Sequence, residues 1–326
     1  MLYIYSFYGL SVLCAALYLY TRSKVTTSED AQFLGFQRTY LIVYLLAVAG
    51  DWLQGPHVYA LYESYGMSKH DIELLFVAGF GSSLVFGTFI ASIADKYGRK
   101  SNCFLYAVLY SAACVTKHFA NFWILMIGRL LGGIATSILY SAFESWLVFE
   151  HNKRGFNDQL LSTIFSHATL GNSLVAIISG VVAQYAADFF GFVAPFDASM
   201  AVLTIMAGIL IFTWPENYGD QKAEVHQHFI DAVHMMKNVI CLGLIQSLFE
   251  GAMYVFVLEW TPALTLASLG DRIPHGYIFA SFMVAIMMGS SIFKVLSKYH
   301  RPESFMRLPR SVFFALSAHK FDVDNL

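Results

Sequence analysis

Residues 91–100, Ala-Ser-Ile-Ala-Asp-Lys-Tyr-Gly-Arg-Lys, close a long apolar run. Residues 74–94 carry no charge. Within the next six positions come the acid Asp95, the bases Lys96, Arg99 and Lys100, and the turn former Gly98. About 20 apolar residues suffice to cross a bilayer as a helix, and a dense basic turn is what such a helix carries where it leaves the hydrocarbon. The stretch therefore predicts a membrane helix, a sharp turn and a second helix returning.

The rest of the chain repeats that pattern. Of the 326 residues 57% are hydrophobic and 13% are charged, against about 25% charged in soluble domains. Nine apolar segments succeed one another: 2–20, 40–62, 72–94, 102–119, 122–148, 160–187, 198–214, 239–260 and 277–295. The runs are continuous rather than alternating, so helices and not barrel strands satisfy the backbone in lipid. The expected fold is an all-α membrane protein with nine transmembrane helices. Cys14, Cys103, Cys114 and Cys241 all fall inside apolar segments and read as buried small hydrophobes. The first segment lacks the basic start of a signal peptide and is followed by Arg22 and Lys24, which reads as a retained helix.

Charge sets the orientation. If the side after the first segment is cytosolic, Arg22, Lys24, Arg38, Lys96, Arg99, Lys100, Lys153, Arg154, Lys222, Lys237, Lys294, Lys298 and Arg301 lie inside. Only Lys69, Lys117 and Arg272 lie outside, a thirteen-to-three bias of the positive-inside kind. The longest polar stretch, 214–237, separates six helices from the last two apolar segments. Within it Val225, Phe229, Val233 and Met236 recur at helical spacing, as on an amphipathic surface helix. His226, His228 and His234 have no cysteine beside them and only scattered carboxylates, so no metal site is assigned. The domain boundaries expected are 1–38 (first helix and basic linker), 39–213 (six-helix half), 214–237 (linker), 238–300 (start of a second half) and 301–326 (divergent tail).

The turn Asp95-Lys96-Tyr97-Gly98-Arg99 is echoed by Ser297-Lys298-Tyr299-His300-Arg301. One helix earlier in each case lies an acid, Asp51 or Glu250. Two echoes at nearly one offset predict two parallel halves, an organisation known among transporters.

The Asp-Lys-Tyr-Gly-Arg-Lys turn resembles the loop signature between the second and third helices of the major facilitator superfamily, with Ala91 in place of the usual glycine. Asp51-Trp52-Leu53-Gln54, Ser141-Ala142-Phe143-Glu144-Ser145-Trp146, Leu248-Phe249-Glu250, Trp260-Thr261-Pro262 and Gly289-Ser290-Ser291 look like the eukaryotic molybdate-anion transporter branch of that superfamily. His167 and Glu259 depart from it. The resemblance implies a helical bundle and a secondary transporter taking up molybdate across the plasma membrane. It implies no cofactor, and as partners the oxoanion and the lipid bilayer but no nucleic acid. Twelve core helices are usual there, and this chain supplies eight after an extra first one. It therefore reads as C-terminally shortened, with 311–318 too short to span.

Few charges lie deep in the apolar segments, and such charges are usually functional. On a continuous helix Arg129, Gly133, Thr136, Tyr140 and Glu144 share one face. A guanidinium with a hydroxyl and a phenol suits a tetrahedral oxoanion; the alternative is an Arg129–Glu144 or Arg129–Asp51 pair that fixes packing. Asp51 shares a face with Tyr40, Tyr44, Gly55 and Tyr62, and Gly55-Pro56 can break the helix there. Glu250 shares a face with Gly243, Gln246, Tyr254 and Val257. The substrate-binding set expected is Arg129, Thr136, Tyr140 and Tyr44. The proton-coupling or ion-pair set is Asp51, Glu144 and Glu250, and the gating set is Asp95, Lys96, Gly98, Arg99 and Lys100. Sulfate satisfies the same face as molybdate, and a non-transporting membrane protein that binds a partner stays open beside the transporter. No hydrolase nucleophile elbow, Walker loop or paired metal-ligand motif points to an enzyme.

Overall fold

The computed structural model describes residues 2–21, 31–219, 225–268 and 273–299. Its helices are α1 (Leu2–Thr21), α2 (Ala31–Trp52), a 3-10 turn (Gly55–His57), α3 (Val58–Ser64), α4 (Lys69–Tyr97), α5 (Arg99–Thr116), α6 (Phe122–Leu139), α7 (Ala142–Lys153), α8 (Asp158–Phe190), α9 (Ala194–Thr213), α10 (Val225–Ala267) and α11 (His275–Tyr299). No strand occurs among the described residues. The chain divides into two compact units, one of residues 26–280 and one of 1–25 with 281–326. Helices α2 to α10 belong to the larger.

Local chemistry sets the helix boundaries. Ser68 caps α4 by accepting the Asp71 amide, Asn121 caps α6 by accepting the Trp123 and Ile124 amides, and Asn157 caps α8 by accepting the Gln159 amide. Gly98, at φ +106°, makes the reversal between α4 and α5 that the opening sequence predicts. Among the described residues six stretches are long and apolar enough to cross a membrane: 3–20, 31–64, 122–153, 158–190, 194–213 and 275–293.

Three expectations change. The second apolar segment is broken at residues 53–57, as Gly55-Pro56 allows. The fifth is also broken: α6 stops at Leu139 and α7 starts at Ala142. The face drawn from Arg129 through to Glu144 therefore ends at Tyr140. The amphipathic helix expected as a separate element in 214–237 is instead continuous in backbone with α10, a single helix of 43 residues. The side chains of His226, His228 and His234 lie outside the described residues, as do His300 and Arg301 of the echoed turn.

α4, α5 and α6 form the tightest packing. A Cβ on Gly133 would fall against the Gly79 carbonyl oxygen and 2.9 Å from Ser82 Cβ. Ser82 Oγ donates to Leu130 O at 2.7 Å, and Ser137 Oγ to Ser83 O at 3.0 Å. Small residues and hydroxyls bringing two backbones together are how helices associate where water supplies no driving force. On the other side of α5 an aromatic block fills the core. Trp146 stacks on Trp214 with ring centroids 3.7 Å apart, and Tyr40 and Phe143 pack against them.

Candidate functional site

A cavity of about 330 Å³ opens among α2, α3, α4, α5, α6 and α10, far above the ~10–15 Å³ that one water needs. Glycines 55, 79, 128, 132 and 133 line it and let backbone approach the space. Its charged lining is Asp51, Lys117 and Arg129, and Thr136, Tyr110, Tyr140 and Tyr254 add hydroxyls. The broken second segment puts Asp51, Trp52, Gln54 and Gly55 at one wall. Asp51 accepts a hydrogen bond from Tyr110 Oη. Trp52 Nε1 donates to Asn172 Oδ1 at 2.7 Å, and Gln54 Nε2 to Ser199 Oγ at 3.0 Å, so this wall is held by polar contacts behind it.

Arg129 lines the same cavity from α6. Its Nε donates to Leu75 O at 3.2 Å and its guanidinium carbon sits 4.1 Å over the Phe76 ring. Among the described residues no carboxylate pairs with it, so neither the Arg129–Asp51 nor the Arg129–Glu144 pair forms, and its terminal Nη groups carry no hydrogen bond. One turn further along α6 Gly133 gives room, and Thr136 and Tyr140 complete the same lining. The sequence face thus gathers at one cavity as far as Tyr140. Glu144 is exposed on α7, outside the lining. Tyr44 is also outside it, stacked on Tyr40 with centroids 5.7 Å apart. Glu250 is exposed on α10 and accepts from Gln246 Nε2 at 2.7 Å, while its face-mates Tyr254 and Val257 line the cavity.

Lys117 is the residue that charge counting misplaces. It stands just past α5, reads as a loop base, and is 2% exposed. Its Nζ donates to Tyr62 Oη at 2.6 Å and stands 5.0 Å from that ring's centre, while Tyr65 Oη fixes its carbonyl at 2.5 Å. Tyr62 therefore faces a cation rather than Asp51. His167 contacts Gln37 Nε2 through Nδ1 at 2.5 Å, a packing contact. Lys69 pairs with Glu259 at 2.8 Å, and that hydrogen bond raises the Lys69 pKa above its usual value.

The charged turn makes a second constellation. Arg99 holds Asp95 through Nη2 at 2.6 Å and Nε at 2.9 Å, and lies over the Phe149 ring. Asp95 O accepts the Gly219 amide at 3.0 Å, and the Arg99 amide donates to Asn217 O at 2.9 Å. The Glu216 carboxylate accepts from Lys100 N at 2.8 Å, Ser101 N at 3.1 Å and Ser101 Oγ at 2.5 Å, capping α5. Lys100 Nζ donates to Ile211 O at the end of α9, and Lys96 is exposed over Tyr97. Asn217 reaches the buried Glu150 at 3.3 Å, and Trp146 Nε1 donates to Pro215 O at 3.0 Å. The segment 214–219, expected to open the linker, is thus a strap tied across the turn. Pro215-Glu216 directly after a helix end marks where it starts, while nothing in the sequence marks what it crosses.

The chain matches the family described as sugar transporters with 12 transmembrane helices over residues 2–322. It is 34% identical over 305 residues to the molybdate-anion transporter of Xenopus tropicalis, covering 90% of this chain and 66% of that protein. With that of Danio rerio it shares 31% over 326 residues, covering 89% and 67%. It thus spans about two thirds of the length of the curated relatives it matches. Among solved structures it resembles the nucleoside transporter NupG (TM-score 0.60, 15% identity, 83% of this chain and 68% of that one). It also resembles a D-xylose-proton symporter (TM-score 0.57, 14% identity, 80% and 67%). At these identities the two structures speak for the fold alone.

Proposed function

The chain belongs to the molybdate-anion transporter family of the major facilitator superfamily, and from that premise we propose that it carries a tetrahedral oxoanion of the molybdate type across the plasma membrane. The observation that supports this reading is Arg129, a guanidinium on a helix long and apolar enough to cross a membrane, which lines the cavity and, among the described residues, pairs with no carboxylate. Arginine binds an oxoanion through two parallel hydrogen bonds, and Thr136 and Tyr140 offer further donors at the same lining.

Two negative charges entering against about −60 mV oppose the field by roughly 2.8 kcal/mol, which is about a hundredfold in concentration. Uptake against that gradient needs a co-transported cation, an exchanged anion or immediate trapping inside. Asp51 is the carboxyl that shares the cavity with Arg129 and is the proposed proton carrier; Glu250 and Glu144 stand outside the lining.

The test is molybdate uptake by cells expressing this chain, with surface expression measured in parallel. Arg129→Ala is expected to abolish uptake at normal expression. Asp51→Asn is expected to remove the stimulation of uptake by an inward proton gradient. Preserved uptake in Arg129→Ala would demote the arginine to packing, and no uptake by the well-expressed parent chain would overturn the transport reading.

A further inference from the structure

We propose that Lys117 is a second anion-binding cation, and that the Lys117–Arg129 pair fits the cavity to doubly charged tetrahedral oxoanions in preference to singly charged ones of the same shape. The inference rests on the transport reading and deepens it.

Lys117 and Arg129 come from the end of α5 and the middle of α6, and both line the one cavity. Lys117 is almost wholly buried, yet among the described residues no carboxylate pairs with it. An ammonium has three donors, and the phenol of Tyr62 takes one. Removing an ammonium from water carries a steep desolvation penalty that a neutral phenol and an aromatic face repay only in part. A cation serving packing alone would be expected to carry its own acid, as Arg99 carries Asp95. Arg129 shows the same pattern: one backbone carbonyl, one aromatic face and no acid. Two such groups on one cavity set two positive charges where an anion is the fitting occupant.

The charge count points to the valence. Lys117 and Arg129 contribute two positive charges and Asp51 one negative, a net of one with Asp51 ionised and two with it protonated. A dianion is fully balanced only in the protonated state, whereas a monoanion is balanced without any proton. Valence selection and the role proposed for Asp51 thus follow from the same three residues. The two cations also differ in kind: the guanidinium fixes orientation through a planar fork, and the ammonium acts as a point charge indifferent to rotation about it.

The experiment is equilibrium binding of molybdate, sulfate and perchlorate to the purified full chain in detergent. Perchlorate is tetrahedral with half the charge. The parent chain is expected to bind molybdate and sulfate at least about tenfold more tightly than perchlorate. Lys117→Gln should erase that preference by weakening the dianions about tenfold or more while leaving perchlorate within about threefold, the scale of one charge-assisted hydrogen bond. Lys117→Arg should keep the preference. If the parent chain binds neither dianion, this inference and the transport reading both fall. If it prefers dianions and Lys117→Gln keeps the full preference, the transport reading stands and this inference falls. Should Lys117→Gln fail to give a monodisperse protein, Arg129→Gln decides. With Lys117 in place it should bind dianions more weakly but still ahead of perchlorate, and loss of all discrimination would overturn the proposal.

Discussion

Glu216→Ala should unfasten the strap from the charged turn while leaving the helices themselves formed. The carboxylate accepts three hydrogen bonds from Lys100 and Ser101, two of them from amides in the first turn of α5 that have no intrahelical partner. An N-terminal cap is worth about 0.5–2 kcal/mol, and the helix dipole adds roughly 0.3–1 kcal/mol for a carboxylate at that end. A loss of about 1–3 kcal/mol in local stability is expected from those two contributions together. At 1.4 kcal/mol per tenfold that corresponds to roughly 5- to 150-fold more frequent opening. Hydrogen exchange followed by mass spectrometry reads it directly on peptides covering Lys100 and Ser101, with peptides from α6 as the internal control. Glu216→Gln keeps one acceptor oxygen without the charge and should fall between the two. Unchanged protection at Lys100 and Ser101 in Glu216→Ala would refute the view that Glu216 caps α5.

Gly133→Val should prevent proper assembly of α4 against α6. The first added carbon already overlaps the Gly79 carbonyl oxygen and lies 3.0 Å from Ser83 N, and backbone cannot yield as a side chain can. A destabilisation at or beyond about 1–3 kcal/mol is expected, visible as loss of the monodisperse species in detergent. Trp146→Ala should destabilise the chain by roughly 3–5 kcal/mol and lower the thermal midpoint more than any surface change. It removes the stack on Trp214 and the bond to Pro215 O together, and a midpoint within error of the parent would contradict the packing described.

The sequence carries much of this arrangement where helical periodicity governs. Arg129, Thr136 and Tyr140 fall on one cavity because a 3.6-residue repeat puts them on one face, and Gly55-Pro56 announces the break beside Asp51. The break after Leu139 is silent, because Tyr140-Ser141 contains no breaker residue and the interruption is imposed by packing. Glu144 is therefore turned away from a face that the periodicity assigns to it. Lys117 reads as a loop base because charge counting sees only distance from an apolar run. Its burial depends on Tyr62 and Tyr65, more than 50 positions earlier. Glu216 and Asn217 stay hidden for the same reason, since a strap is defined by what it crosses and a polar stretch after a helix has no periodicity to show its target.

The stack of Trp146 on Trp214 also makes the chain its own optical reporter. Of the five tryptophans, these two lie parallel at 3.7 Å, close enough for their excited states to mix. Trp214 stands two residues before Glu216, on the strap, whereas Trp146 stands on α7. Any state in which the strap lifts from the charged turn must separate the two indoles. That separation would collapse the near-ultraviolet exciton signal of the pair and change its emission, so the rate of that movement could be followed in the unlabelled protein on mixing with a solute.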